Sequence, residues 1–292
     1  MVIPASILNA KIRTLAVGHI THDRFGESIL PGGCAYYAAK TWQALGAHSS
    51  LATVVGDDFA CQAALDGLDS SVTHTGETTI FTNLYPESGP RIQFVEAYAP
   101  PVVPDSLPQT LREPDVLFLG PVLNEVDITR WKQATKPRLM AIGVQGYIRS
   151  PDQADGQGRR KVIPRTWSPT PEELEGVNVA CLSDEDLIGQ GDLLERLCAC
   201  VPIVALTHER KGCDIIRGSQ KTWVGIHPAK EVDPTGAGDT FAAGFLLGLA
   251  QGRSPDQAAR LGAACASIII EGVAGETFSR MKEANARVEH VQ

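Results

Sequence analysis

Asp233-Pro234-Thr235-Gly236-Ala237-Gly238-Asp239-Thr240-Phe241-Ala242-Ala243-Gly244-Phe245 is the stretch on which the fold turns. Pro234 fixes the chain in a turn. Gly236, Ala237 and Gly238 carry little side chain, so their backbone amides can approach a ligand closely. An apolar helical pattern then runs over Thr240–Gln251. A helix N-terminus attracts anions, because its unpaired amides and the helix dipole act together. Asp239 falls in the first turn, beside the place an anion would occupy, where a carboxylate can accept a hydroxyl proton. Two readings stand at this point: an anion-binding turn with an acid beside it, or a Gly-rich turn whose Asp caps a helix. The spacing is neither GxGxxG nor GxxxxGK followed by Ser or Thr, so the generic nucleotide patterns do not apply.

Downstream, Ser254-Pro255-Asp256-Gln257 opens a second helix with Ser254 as N-cap, Pro255 at the first position and Gln257 closing a capping box. It runs to Glu271 and stops at Gly272. Gly244, Gly248 and Gly262 predict close packing of the two helices. Upstream, short apolar runs read as buried strands: 15–18, 51–56, 116–120, 139–142, 177–182 and 203–207. Helix candidates lie between them at 35–45, 59–67, 126–136 and 184–200. This alternation predicts an α/β fold with a mostly parallel sheet and helices on both faces, binding its ligands at the carboxyl ends of the strands. Residues 79–85 and 91–98 read as a β-hairpin around Glu87-Ser88-Gly89, either a lid or a plain edge hairpin. The Gly-, Asp-, Arg- and Pro-rich region 150–170 reads as an exposed loop.

The 292 residues are 43% hydrophobic, enough for one large α/β domain. A formal net charge of -8 disfavours nucleic acid and anionic membranes as partners. No run of apolar residues is long enough to span a bilayer, and the first twenty residues lack the order of a secretory signal. The seven cysteines are scattered and odd in number, as expected of free thiols in a reducing cytoplasm.

Residues 233–245 closely resemble the C-terminal signature of the ribokinase-like (PfkB) carbohydrate kinases. Gly32-Gly33-Cys34-Ala35-Tyr36-Tyr37-Ala38-Ala39, continuing to Val55-Gly56-Asp57-Asp58, resembles that family's N-terminal signature. The resemblance covers roughly Thr14 to Gly275. It implies a ribokinase-like three-layer α/β/α sandwich, one kinase domain over 1–292, with a small β-hairpin lid contributed mainly by 72–100.

The resemblance also implies roles. Asp239 is the base that takes the proton of the attacking hydroxyl, and the amides of Gly236, Ala237 and Gly238 form an anion hole. Asp23 holds substrate hydroxyls, and Gly32 and Gly33 let the acceptor lie against the backbone. Thr207, Gly212 and Thr235 border ATP. Asp186 serves Mg²⁺ and phosphate in an Asn-x-x-Glu element that here reads Ser183-Asp184-Glu185-Asp186, with Ser183 in place of Asn. Asp233 and Thr235 match positions that contribute to a monovalent-cation site, such as one for K⁺.

Family membership leaves the acceptor open. Val144-Gln145-Gly146-Tyr147-Ile148-Arg149 and the opening Val17–Asp23 resemble the myo-inositol kinase branch. Gln145 and Arg149 would then donate to a polyhydroxylated ring. The expected activity is ATP-dependent phosphorylation of a polyol or cyclitol by a cytoplasmic monomer or homodimer. The runner-up is a ribose-type sugar or a nucleoside, for which Tyr36, Tyr37 and Phe81 offer rings. A non-catalytic sugar or nucleotide sensor is the reading of another class.

Overall fold

The structure, a computed structural model, describes residues 11–84 and 92–291. The chain enters with β1 (Arg13–Val17), the short strands β2 (Thr21–Phe25) and β3 (Ser28–Gly32), helix α1 (Cys34–Ala44) and β4 (His48–Val55). β5 (Asp69–His74), β6 (Ile80–Leu84) and β7 (Ile92–Ala97) follow. Next come β8 (Val116–Leu119), α2 (Ile128–Ala134), β9 (Leu139–Gly143), β10 (Arg149–Ala154) and β11 (Arg160–Pro164). After α3 (Pro171–Leu174), the chain gives β12 (Val179–Ser183), α4 (Leu193–Cys200), β13 (Ile203–Thr207), β14 (Cys213–Arg217) and β15 (Gln220–Val224). It closes with α5 (Ala237–Ala250), α6 (Pro255–Ile269) and α7 (Ala284–Arg287).

The large sheet has the order β15-β14-β13-β12-β9-β8-β1-β4-β5. It is parallel from β13 to β5, with β14 and β15 added antiparallel. Along β1, Leu15 and Val17 face one core and Ala16 the other, as the period of two in a strand requires. Helices α1, α5 and α6 cover the face of Ala16, and α2, α3 and α4 the face of Leu15 and Val17. This is the expected three-layer sandwich. The capping box at Ser254 and Gln257 is present. A Cβ on Gly244 would lie 3.0 Å from the Gly262 Cα, the close helix packing that the glycines predicted. The Trp42 indole N–H donates to the Ala243 carbonyl at 2.8 Å and ties α1 to α5.

The second sheet has the order β10-β11-β7-β6-β2-β3. Three excursions build it, leaving the carboxyl ends of β1, β5 and β9. Buried His19 knits two of these crossings together. Its Nε2 donates to the Pro100 carbonyl at 2.9 Å, and its Nδ1 meets the Thr79 hydroxyl at 2.9 Å. From 72–100, only β6 and β7 belong to this sheet, while β5 pairs with β4 in the large one. The expected hairpin tip, Glu87–Gly89, lies outside the described residues.

Several local expectations are corrected. Region 150–170 is not an exposed loop throughout, because β10 and β11 form a hairpin in it. Its loop-like residues make the tip, where the Asp155 carboxylate accepts the amides of Gln157 and Arg159 at 2.9 Å each. The helix expected over 59–67 shrinks to a 3₁₀ turn at Gln62–Leu65. The one expected over 184–200 is divided into a turn at Glu185–Leu187 and α4, since Gly189 and Gly191 take left-handed φ of 75° and 59°. Among the described residues, no helix is long and apolar enough to cross a membrane.

Candidate active site

The order of the large sheet reverses at β1: β4 and β5 lie on one side, β8, β9, β12 and β13 on the other. Crevices of this kind, at the carboxyl ends of parallel strands, bind ligands. Two helix N-termini converge there. Gly236, the N-cap of α5, has φ 77° and ψ 4°. Gly33, the N-cap of α1, has φ 98°.

Asp239 stands in the first turn of α5. Burial raises its carboxyl above the ordinary Asp range. A hydrogen bond from the Cys34 thiol and the charge of Arg149 pull the other way, while Asp186 adds to the rise. Asp239, Asp186 and the Arg149 guanidinium therefore share one electrostatic neighbourhood. Cys34 sits at the first position of α1, and a Cβ on Gly143, at the end of β9, would be 3.4 Å from its sulfur.

Residues 236–238, expected to form an anion hole, differ in what they present. The Ala237 amide donates to the Pro234 carbonyl at 3.1 Å, so it closes the turn. Thr240 N–H donates to Gly236 O at 2.9 Å, which starts the helical ladder. The first-turn amides of a helix have no acceptor within it, and Gly238 is exposed with open space where a Cβ would go. Asp233 accepts the Thr235 amide at 2.9 Å and shapes the turn from within.

On the other side of the crevice, Asp23 lies on β2. Its Oδ1 accepts from the Thr21 hydroxyl at 2.8 Å, and a Cβ on Gly32 would overlap its carboxylate. Asp23 is in register with Phe81, and Asn83 with Gln93. Alternation therefore puts Asp23, Phe81, Asn83, Gln93 and Val95 on one face of the small sheet. That face meets the large domain, because Phe81 and Val95 pack on Val122. Gln93 Nε2 donates to Asn83 Oδ1 at 3.1 Å, and Arg149 Nη1 donates to Gln93 Oε1 at 3.4 Å. The sequence reading missed Asn83 and Gln93. Their spacing of two from the buried Phe81 and Val95 was the available signal. Gln145 is exposed in a turn whose other members, Val144, Gly146, Tyr147 and Ile148, are buried. Tyr36, Tyr37 and Phe81 are only 4%, 2% and 3% exposed, so none offers an open ring to a nucleobase.

Beyond the end of β12, Asp186 is buried and exchanges bonds with Ser183. Asp186 Oδ2 accepts the Ser183 amide at 2.8 Å, and Ser183 Oγ accepts the Asp186 amide at 3.2 Å. Thr207 ends β13, and its hydroxyl donates to Leu182 O at 3.3 Å. The Gly212 carbonyl accepts the His208 amide at 2.8 Å and closes the 208–212 loop. Arg210 pairs with Glu231 at 2.8 Å. A clamp not anticipated from the sequence joins these strands: His208 Nδ1 lies 3.0 Å from Asp184 Oδ2 and its Nε2 lies 2.8 Å from Asp214 Oδ2.

Among the described residues, no three His, Cys, Asp or Glu side chains converge to hold a metal ion directly. The donor set still suits Mg²⁺, which keeps several waters. Asp186 and Asp239 repel one another, and a hydrogen bond with Glu209 raises Glu185 above the usual Glu range, so negative charge is crowded there. A hydrated divalent cation would offset this negative charge.

The family model for pfkB family carbohydrate kinases matches residues 21–279. The chain belongs to this family. As a PfkB kinase it is similar to the inositol 3-kinases of Arabidopsis thaliana and Oryza sativa subsp. japonica. They are 28% and 30% identical over 92% of this chain, covering 77% and 70% of the relatives. A cytidine kinase of Thermococcus kodakarensis is 27% identical over 85% of this chain and 92% of its own length. Solved PfkB-type structures share the fold. A pyrophosphate-dependent kinase of the ribokinase family, complexed with a pyrophosphate analog and myo-inositol, has a TM-score of 0.76 at 20% identity, covering 93% of this chain and 99% of that one. Arabidopsis ribokinase complexed with ribose and ATP has a TM-score of 0.69 at 17% identity, covering 96% and 99%. This PfkB chain is thus a carbohydrate kinase, a phosphotransferase acting on an alcohol group.

Proposed function

We propose that the chain transfers the γ-phosphoryl group of ATP to a hydroxyl of a cyclitol of the myo-inositol kind, with Asp239 as base. The observation that carries the reading is the opposition of two surfaces. Asp239 at the head of α5 faces a small-sheet surface that is polar at Asp23, Asn83, Gln93 and Arg149. A polyhydroxylated ring can use many such groups, while the burial of Tyr36, Tyr37 and Phe81 withholds the stacking that a nucleoside would use. The inositol 3-kinase relatives support the same acceptor class.

In this reading Asp23 accepts from neighbouring hydroxyls and holds the ring, since a carboxylate accepts well from several donors at once. Asp239 takes the proton of the attacking hydroxyl. The first-turn amides of α5 and the helix dipole face the charge that develops on the transferring group. ATP supplies the phosphoryl group and Mg²⁺ neutralises its oxygens. Asp186 would hold that ion, and Thr207, Gly212 and Thr235 would border the nucleotide. The monovalent-cation role of Asp233 is checked by comparing turnover in K⁺ and Na⁺ salts. We read residues 1–292 as one kinase domain, its lid the whole six-stranded sheet.

The test is a panel of myo-inositol, ribose and cytidine with Mg²⁺ and either ATP or pyrophosphate, following ADP or phosphate release. Turnover is expected with ATP and myo-inositol. Preference for ribose or cytidine would replace the acceptor, and turnover with pyrophosphate alone would replace the donor. An unchanged rate in Asp239→Asn would remove the base assignment.

A further inference from the structure

Tyr37 is one helical turn beyond Cys34, and residues three apart on a helix share a face. Cys34 meets Asp239, the base. Tyr37 meets the preceding turn. A Cβ built on Gly236 would overlap Cε1 and Cδ1 of the Tyr37 ring, so the ring lies directly against the Gly236 Cα. The first turn of α1 thus touches the reacting segment twice, once at the acid and once at the left-handed N-cap of α5.

The ring is held from behind. Tyr37 is 2% exposed, with Phe278 tilted against it at 5.8 Å and Tyr36 edge-on at 5.5 Å. The 233–237 turn has bonds of another kind. Asp233 with Thr235 and Pro234 with Ala237 close it upon itself, and the amides of Val232 and Asp233 anchor its start to the Ile270 carbonyl. These bonds set the shape of the turn. The Tyr37 contact sets how deep the turn sits.

We infer that Tyr37 is the positioning residue of the phosphate-facing turn: its ring is the seat on which Gly236 rests, and it fixes where the first amides of α5 point. This rests on the reading of the turn as the phosphate site. Burial and the charges of Asp23, Asp239 and Asp233 push the phenol up, so the hydroxyl stays protonated beside three acids. The seat itself needs only the ring. Phe in its place keeps the contact. Leu in its place leaves space that the turn can drop into or rattle in.

The experiment compares Tyr37→Phe and Tyr37→Leu with the wild type in two readouts. Hydrogen exchange of the 233–241 amides is expected to match wild type in Tyr37→Phe and to quicken in Tyr37→Leu. With ATP and the preferred acceptor, Tyr37→Leu is expected to lose kcat by roughly 100-fold, the cost of about 1 Å of misplacement. Its acceptor KM is expected to change less than kcat, and Tyr37→Phe reports separately on the loss of the phenol beside Asp23. Unchanged exchange in Tyr37→Leu overturns the proposal, and so does a Tyr37→Phe loss as large as that of Tyr37→Leu, which would assign the work to the hydroxyl. Should Tyr37→Leu not fold, Gly236→Ala asks the same question from the other side. Its methyl must displace the ring, so exchange in the first turn of α1 must rise, and no rise there overturns the seat. Failure of the kinase reading looks different: the wild type then gives no donor-dependent turnover, while the exchange comparison still decides whether the ring seats the turn.

Discussion

Asp23 lies across Gly32, its carboxylate filling the space in which a Gly32 side chain would begin. The two residues are on the paired strands β2 and β3, offset by two in register, since Gly32 is opposite Thr21 and Leu30 opposite Asp23. Gly32→Ala must therefore move the carboxylate. Removing a charged hydrogen bond costs about 1.5–3 kcal/mol, so the acceptor KM should rise roughly 10- to 100-fold. The donor KM should hold. Steady-state kinetics with each substrate varied separately checks this, and an equal rise in both constants would mean the effect is global.

Asp239→Asn should cut turnover and stabilise the fold. General-base contributions run to roughly 10²–10⁴-fold, which sets the expected loss. The folded carboxyl lies above its unfolded value, chiefly through burial. The folded state therefore binds more protons than the unfolded one between those values, and the ionised group costs stability above the folded one. Asn removes that cost near neutral pH. A lower Tm for the folded variant would contradict the sign.

The pH profile should show an acid limb set by Asp239, with kcat/KM falling as pH drops through its raised value. The Cys34 thiol bond and the Arg149 charge both lower that value. Cys34→Ala should accordingly move the acid limb to higher pH, while Cys34→Ser, which keeps a donor, should leave it nearer wild type. A limb that stays in place in Cys34→Ala would remove the thiol from the tuning of the base.

Gly238→Ala separates ligand approach from folding. A Cβ there meets nothing within 4 Å, and the position lies in the first turn of α5. Ala is favoured over Gly in a helix by about 0.5–1 kcal/mol, so the Tm should hold or rise slightly. If donor phosphate lies against this Cα, the donor KM rises and the acceptor KM does not. Wild-type kinetics in this variant would move the phosphate elsewhere.

Much of the candidate site is legible because the family signatures fall where local physics is most restrictive, at turns and helix starts such as Gly33 and Gly236. The alternation of strands and helices gave the large sheet through its buried parallel strands, which read as continuous apolar runs. The small sheet was harder. Its strands β2, β3, β10 and β11 are half-polar and bounded by Gly, Asp and Arg, so 150–170 looked like loop until pairing with β7 gave it a partner. Asn83 and Gln93 became visible only through register, a long-range property. From sequence Tyr37 reads as a ring on offer to a ligand, whereas its neighbours Phe278 and Gly236, both more than 190 positions away in the sequence, enclose it.

The three crossings into the small sheet have a mechanical consequence. A flap on a single stalk can swing freely, but a plate tethered at β1, β5 and β9 tilts only if all three stalks bend in concert. His19, bonded to the stalk residues Thr79 and Pro100, couples two of them. Acceptor choice can drift one excursion at a time, through β2–β3, β6–β7 or β10–β11, while the tilt remains a property of the whole tripod.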